Sequence, residues 1–309
     1  NNSSLPKRSA ISWKLRSQAS ELIPTYKLSR PPKADSITCV VIKEIIMLVI
    51  GELINGMYKQ IQDAIAKKDK KVIRYVAKNQ IANGADAIDV NVGPGSLNQL
   101  DDMKWLIEAV GEATDKPISV DSPKPKIIEE VLPLVKNKII INSTDAGDEK
   151  LDVLIPLAKK YNACIIALTM DKKQGVPRDR YVRSELAAKI VSKALEVGLS
   201  MENLYLDPIV LPVNVVQPQA IEVLEAIKEF KLLSSPPPKT IVGLSNVSQG
   251  TKTRSLINRT FAVMAVVMGL DGAILDPLDR DLMDAIITAE LVMNKNIYCE
   301  SYLSAYRKK

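Results

Sequence analysis

Short apolar runs in this chain end repeatedly in a side chain that accepts or donates hydrogen bonds. Glu52 and Asn55, then Asn91, Asp121, Asn142, Thr169, Asp207, Asn246 and Asp276 each follow such a run. A carboxylate accepts two parallel N–H bonds, and an amide both gives and takes one. Asp121, Asn142 and Asp207 together therefore suit a flat heterocycle with an amino group beside a ring N–H, as in a pterin. They suit a phosphate poorly, because carboxylates repel anions. A Mg²⁺ ion held by Asp121 and Asp207 is the rival reading, since hard cations take oxygen ligands, although nothing in the spacing favours a metal. Taken singly, any of these residues could be a helix N-cap or a turn former, roles in which Asp and Asn are favoured. Ser122 and Ser143 read as such caps.

The rest of the composition narrows the chemistry. The 309 residues include no histidine, which removes Ser-His and Cys-His nucleophile pairs, His-rich metal sites and the usual general base. Catalysis must then run on carboxylates, amides, hydroxyls, a bound cofactor or a partner. Cys39, Cys164 and Cys299 are far apart and form no C-x-x-C, so neither a disulfide framework nor a zinc site of known spacing is expected, and a reducing compartment is. Of the 42 basic and 36 acidic residues, eight and three fall in residues 1–46, leaving a balanced 34 and 33 in the remainder. The net charge of +6 is therefore concentrated at the front of the chain. With only 4% aromatic residues, platforms for stacking single-stranded bases are lacking as well, and no nucleic-acid partner is expected. No apolar run approaches the roughly 20 residues of a membrane span.

Elements that could position these side chains begin at Met47. Eight apolar runs (48–50, 87–92, 117–120, 138–141, 163–168, 204–206, 240–244 and 272–275) alternate with segments of helical period. Continuous rather than alternating apolarity is what a strand covered on both faces requires. Between the runs, Met103, Leu106, Ile107 and Val110 form one apolar stripe, as do Leu151, Leu154, Ile155 and Ala158. Phe261, Met264, Ala265 and Met268 form a third, and Leu282, Ile286, Ala289 and Met293 the last. Eight βα units in about 260 residues match a (β/α)8 TIM barrel. An open doubly wound sheet is the alternative, but no dinucleotide glycine fingerprint follows the first strand and there is no P-loop. In a barrel the C-terminal strand ends carry the chemistry, which places every polar side chain named above at one mouth. The turn Gly243–Gly250 after the seventh run is the richest of these ends, and Pro236-Pro237-Pro238 reads as a stiff connector on the opposite face. Residues 1–46, rich in Ser, Pro and basic residues, read as a disordered leader outside the 47–309 domain. A targeting peptide, a natural arm and translated upstream sequence are the three readings of it, and the abrupt start of patterning at Met47 favours the last.

The chain from Met47 onward resembles the methyltetrahydrofolate:corrinoid/iron–sulfur protein methyltransferases, pterin-binding TIM barrels related to dihydropteroate synthase and to the folate module of methionine synthase. The likeness rests on Gly51-Glu52-Leu53-Ile54-Asn55-Gly56, Asp89-Val90-Asn91-Val92-Gly93-Pro94, Val120-Asp121-Ser122, Ile141-Asn142-Ser143-Thr144, Leu206-Asp207-Pro208, Gly243–Gln249 and Leu256-Ile257-Asn258-Arg259-Thr260-Phe261. It implies that Asp121, Asn142 and Asp207 hold the pterin ring. It also implies that Asn246 lies near N5, which carries the methyl group, and that Gly243, Ser245, Gln249 and Arg254 complete the pocket wall. The resemblance further implies a cytoplasmic homodimer of the acetyl-CoA pathway that binds no metal. Its nucleophile is then Co(I) of the cobalamin on a separate corrinoid iron–sulfur protein. Transfer in the opposite direction, from a corrinoid protein to tetrahydrofolate in methylated-amine catabolism, is the alternative, and a non-catalytic pterin-binding scaffold is a second. Dihydropteroate synthase itself is disfavoured, because no basic cluster for a diphosphate stands at the strand ends.

Overall fold

The computed structural model describes residues 47–307. Eight parallel strands close into a barrel in sequence order: β1 Leu48–Asn55, β2 Ala87–Asn91, β3 Ile118–Asp121, β4 Ile139–Asp145, β5 Cys164–Leu168, β6 Leu204–Asp207, β7 Lys239–Gly243 and β8 Gly272–Leu275. The outer layer holds α1 Lys59–Lys67, α2 Lys70–Ala82, α3 Gln99–Gly111, α4 Pro125–Val131, α5 Asp148–Lys160 and α6 Arg180–Val197. It continues with α7 Val213–Val216, α8 Gln219–Phe230, α9 Arg254–Val267, α10 Arg280–Val292 and α11 Tyr302–Tyr306. All eight apolar runs are strands, as a TIM barrel requires. The expected disordered leader over residues 1–46 lies outside the described residues.

Two hydrophobic clusters follow from the period of a strand, in which successive side chains point to opposite faces. Ile88, Val90, Val120, Ile141, Ile165 and Leu206 face outward and pack under the helices. Ile50, Ala87, Ile140, Ile166 and Ile241 face inward and fill the barrel, with Leu48, Tyr205 and Ile274 against them. The inward parity decides what the mouth displays. One step of two residues beyond the apolar filling, the same face of each strand presents Glu52, Asp89, Asn142, Asp207, Gly243 and Asp276.

The helical stripes fit in part. Met103, Leu106, Ile107 and Val110 are buried, as are Leu151, Leu154, Ile155 and Ala158. On α9, however, the buried face is Asn258, Phe261, Ala262, Ala265 and Val266, and Met264 points outward at 43% exposure. Met293 is likewise exposed beyond the end of α10. Because every residue from Phe261 to Val267 is apolar, the periodicity there does not single out the face the barrel takes. The expected strand 240–244 also ends one residue early, because Leu244 opens a short 3₁₀ turn over Leu244–Ser248.

Candidate functional site

Two of the residues expected to hold a ring, Asp121 and Asn142, are neighbours at the mouth, linked to one that sequence reasoning passed over, and Asp207 ends a strand at the same mouth. Asn91, Asp121 and Asn142 stand in one row, paired strand to strand. Asn91 uses both ends of its amide: Nδ2 donates to Asp121 Oδ2 at 2.6 Å, and Oδ1 accepts from the Gly93 N–H at 2.6 Å. One step below, the Asp89 carboxyl accepts from Ser119 Oγ at 2.6 Å and from Asn142 Nδ2 at 3.0 Å. Asp89 thus fixes the orientation of the Asn142 amide and leaves its oxygen as the acceptor. In the sequence Asp89 lies inside an apolar run and reads as part of the strand. An acid two residues after Ala87, on the barrel-facing parity, is the signal that could have found it.

Asp207, at the end of β6 and 7% exposed, accepts from the Ile209 N–H at 2.7 Å and from the Gly243 backbone. Thr169 is not free for a ligand: its hydroxyl donates to the Asp207 carbonyl at 3.1 Å. Asn55, Ser122 and Asp276 make local turn bonds to Met57, Lys124 and Leu278 N–H groups, the role such residues commonly play. Ser143, also expected as a cap, lies inside β4 rather than at a helix start.

The turn after β7 is built on two anchors three residues apart. Leu244 and Val247 share a face of the 3₁₀ turn and are buried, so Ser245, Asn246 and Gln249 are turned to the rim, since side chains at i and i+3 eclipse in this helix. Asn246 folds back over Gly243: a Cβ on that glycine would stand 2.9 Å from Asn246 Nδ2. Gly243 is therefore required for the amide to lie above the strand end beside Asp207. Arg254 donates through Nε to Ser248 Oγ and through Nη2 to the Ser245 carbonyl, both at 3.2 Å. Its guanidinium braces the turn from the first residue of α9. Ser245 Oγ in its turn donates to Glu52 Oε1 at 2.7 Å.

Burial sets the electrostatics of the mouth. Desolvation favours the neutral form of a carboxyl and is the largest influence on each acid here. It pushes Asp207 up to about 7 against the backbone N–H bonds of Ile209 and Gly243. Asp121 is pushed up to about 6 despite the bond from Asn91. Asp89 lies well above the usual carboxylate range, through its burial and then the charge of Asp121 beside it. Glu52 rises to about 7, its burial and the charge of Asp276 outweighing the Ser245 bond and Arg254. At neutral pH the carboxyls of Asp207 and Glu52 are therefore shared between their protonated and ionised forms. Among the described residues, no group of three or more His, Cys, Asp or Glu side chains is placed to hold a metal ion, and no helix is long and apolar enough to cross a membrane.

Comparison with known proteins agrees with this layout. The family model of pterin binding enzymes matches residues 52–276. The methylcorrinoid:tetrahydrofolate methyltransferase of Eubacterium limosum is 32% identical over 267 residues, 85% of this chain and 97% of that protein. A methionine synthase of Mycobacterium tuberculosis is 26% identical over 266 residues, 81% of this chain but only 22% of the longer enzyme. In fold, the dihydropteroate synthase of Coxiella burnetii, solved in complex with pteroic acid, superposes with a TM-score of 0.61 at 18% identity, covering 80% of this chain and 93% of that one. With its polar inward layer at the mouth of a closed barrel, the chain belongs to the pterin binding enzyme family.

Proposed function

We propose that this protein is a methyltransferase that moves a methyl group between N5 of tetrahydrofolate and the cobalt of a corrinoid carried by a separate protein. The observation that carries the reading is the mouth itself. Its strand ends offer Asp121, Asn142 and Asp207 to the edge of a pterin, and the Asn246 amide folds over Gly243, whose backbone bonds to Asp207. Similarity over nearly the whole length of the Eubacterium limosum methyltransferase supports the choice of reaction within the family.

The chemical difficulty is the leaving group. N5 of methyltetrahydrofolate is a tertiary amine, and it departs badly as an anion when Co(I) attacks the methyl carbon. The electron pair of the breaking C–N bond stays on N5, which must gain a proton or a hydrogen bond as it leaves. A donor that acts mainly in the transition state raises the rate directly. Asn246 fills that role here, as a hydrogen-bond donor rather than an acid, and solvent supplies the proton. Ser245, Gln249 and Arg254 shape the rim around it, and no metal of this chain takes part.

In finer detail, we assign the direction from methyltetrahydrofolate to Co(I), with a corrinoid iron–sulfur protein of the acetyl-CoA pathway as partner, in the cytoplasm. The Eubacterium limosum relative is named for the opposite direction, which favours a corrinoid donor as the second reading. The same site serves both, because the transition state is shared. A homodimer is supported by the outer face of α9, where exposed Leu256 and Met264 border a groove of about 840 Å³ against α8. Residues 47–309 are taken as the working domain, so deletion of 1–46 is expected to leave turnover intact.

Methyl transfer to free Co(I) cobalamin, followed by the loss of the Co(I) absorption, tests the reading. Transfer is expected from methyltetrahydrofolate, and in reverse from methylcobalamin to tetrahydrofolate. No transfer in either direction would overturn it.

A further inference from the structure

β1 does not run straight to its end. Its pairing with β2 passes from Gly51↔Ile88 to Ile54↔Val90, so three steps along β1 answer two along β2. A bulge of this kind re-aims the side chain it carries. A fully buried amide holds it: Gln80 of α2 accepts from the Leu53 N–H at 3.0 Å. The Gln80 carboxamide occupies the place where a Cβ on residue 51 would stand, which Gly51 leaves free. Glu52 sits within this bulge. Its carboxylate reaches across the end of β8 to Ser245, 193 residues away in sequence and adjacent to Asn246.

The turn that carries Asn246 is therefore gripped from two sides, by Arg254 from α9 and by Glu52 from β1. We propose that Glu52, fixed by the β1 bulge, is a positioning residue that sets the 244–248 turn so that the Asn246 amide stands over Gly243. The catalytic consequence rests on the methyl-transfer reading above, whereas the mechanical one does not. The groups that face Glu52 are Tyr58 after β1, Asp89 on β2, Asp276 after β8 and Arg254 on α9. With its pKa near 7, Glu52 grips Ser245 as a charged acceptor above neutrality and as a neutral one below.

Hydrogen exchange of the backbone amides of residues 244–250 tests the mechanical claim without reference to turnover. Glu52→Ala and Ser245→Ala are each expected to speed exchange there about tenfold, the scale of one lost charge-assisted bond. The double variant should go no faster than either, and amides of β2–β4 should be unmoved. Unchanged exchange in the turn, or additive acceleration in the double variant, would overturn the proposal. Ser245→Ala removes the same bond from the exposed side, so the test survives a Glu52 variant that folds poorly.

In methyl transfer, Glu52→Ala should lower kcat about tenfold with KM for methyltetrahydrofolate held within about twofold, and should add nothing in an Asn246→Ala background. Glu52→Gln, whose amide oxygen still accepts the serine hydroxyl, should recover most of the rate. A KM that rises as steeply as kcat falls would make Glu52 a substrate ligand and sink the positioning role. A wild-type protein without methyl transfer would refute the functional reading alone, leaving the exchange data to judge Glu52.

Discussion

The two halves of the barrel mouth hold their polar groups in different ways. Across β2, β3 and β4, side chains on the strands bond directly to one another: Asn91 to Asp121, and Ser119 and Asn142 to Asp89. Across β7, β8 and β1, the corresponding bonds run between a short turn, the first residue of a helix and a bulge. In the first half Asp89 and Asn142 are buried, whereas in the second Asn246, Gln249 and Arg254 are exposed. Strand-borne groups cannot move without disturbing the barrel, so they suit recognition of a rigid ring. A turn pinned by three side-chain bonds is less firmly built into the barrel, which under the proposed reaction suits a donor that answers to N5 as its bond breaks. Under the proposed methyl transfer, binding falls to one arc and chemistry to the other.

The strongest way to break that assignment is Asn246→Ala. Loss of a donor that acts in the transition state typically lowers the rate by about 10²–10³, and we expect the dissociation constant for methyltetrahydrofolate to move far less. Single-turnover kinetics with free Co(I) cobalamin separate the two quantities. A dissociation constant that rises as far as the rate falls would transfer Asn246 to the binding arc and erase the contrast.

Next in size, Asp121→Ala and Asp207→Ala should each weaken folate binding by roughly 1.5–3 kcal/mol, the range for hydrogen bonds to charged groups. The bound fraction that remains should turn over at a nearly normal rate. Titration calorimetry checks the affinity, and unchanged affinity in both variants would place the pterin elsewhere.

The sequence exposed these arcs unequally. Strand count, order and the C-terminal position of Asp121, Asn142 and Asp207 were legible because a doubly covered strand writes a continuous apolar run and its polar end residue stands out against it. Asp89 was hidden by the same rule, since a single acid within Ala87–Val92 looks like noise until the inward parity is known. The grip of Glu52 on Ser245 was beyond reach. It depends on a bulge in β1, which leaves no periodic trace, and on closure of the barrel, which brings β1 beside the loop of β7. Met264 belongs to an apolar stripe in the sequence yet points outward, because residues 261–267 are apolar throughout and only tertiary packing chooses the buried face.

A smaller effect comes from protons. Asp121 near 6 and Asp207 near 7 are partly protonated in the free protein at neutral pH, while ring N–H donors require the ionised carboxylates. Ligand and protons therefore compete, and affinity should fall as pH drops below about 7, by up to tenfold per pH unit for each group that must ionise. Calorimetry in buffers of different ionisation enthalpy should register proton release on binding at pH 6.5 and almost none at pH 8.5. Affinity that is flat between pH 6 and 8 would show that these acids do not meet the ring.

The mildest test concerns Asp89, which belongs wholly to the strand-borne arc. Its pKa is raised in the folded state by burial and then by Asp121, so the folded protein binds its proton more tightly than the unfolded chain. Such a group leaves stability untouched at pH values below the unfolded value near 4. As pH rises above that, the unfolded chain ionises freely while the folded one resists, and stability drains away until the folded pKa is passed. Asp89→Asn removes the ionisation while keeping an oxygen for Ser119 and Asn142. The melting temperature of the variant relative to wild type should therefore climb by a few degrees between pH 4 and pH 8, on the scale of roughly 1 kcal/mol per 2–4 °C for a chain of this class. Any new unpartnered N–H of the asparagine shifts both ends of that comparison equally, so the slope, not the offset, carries the result. A difference that stays constant with pH would mean that Asp89 is ionised in the folded barrel. The strand-borne arc would then be as well solvated as the loop-borne one, and the division of labour between them would lose its physical basis.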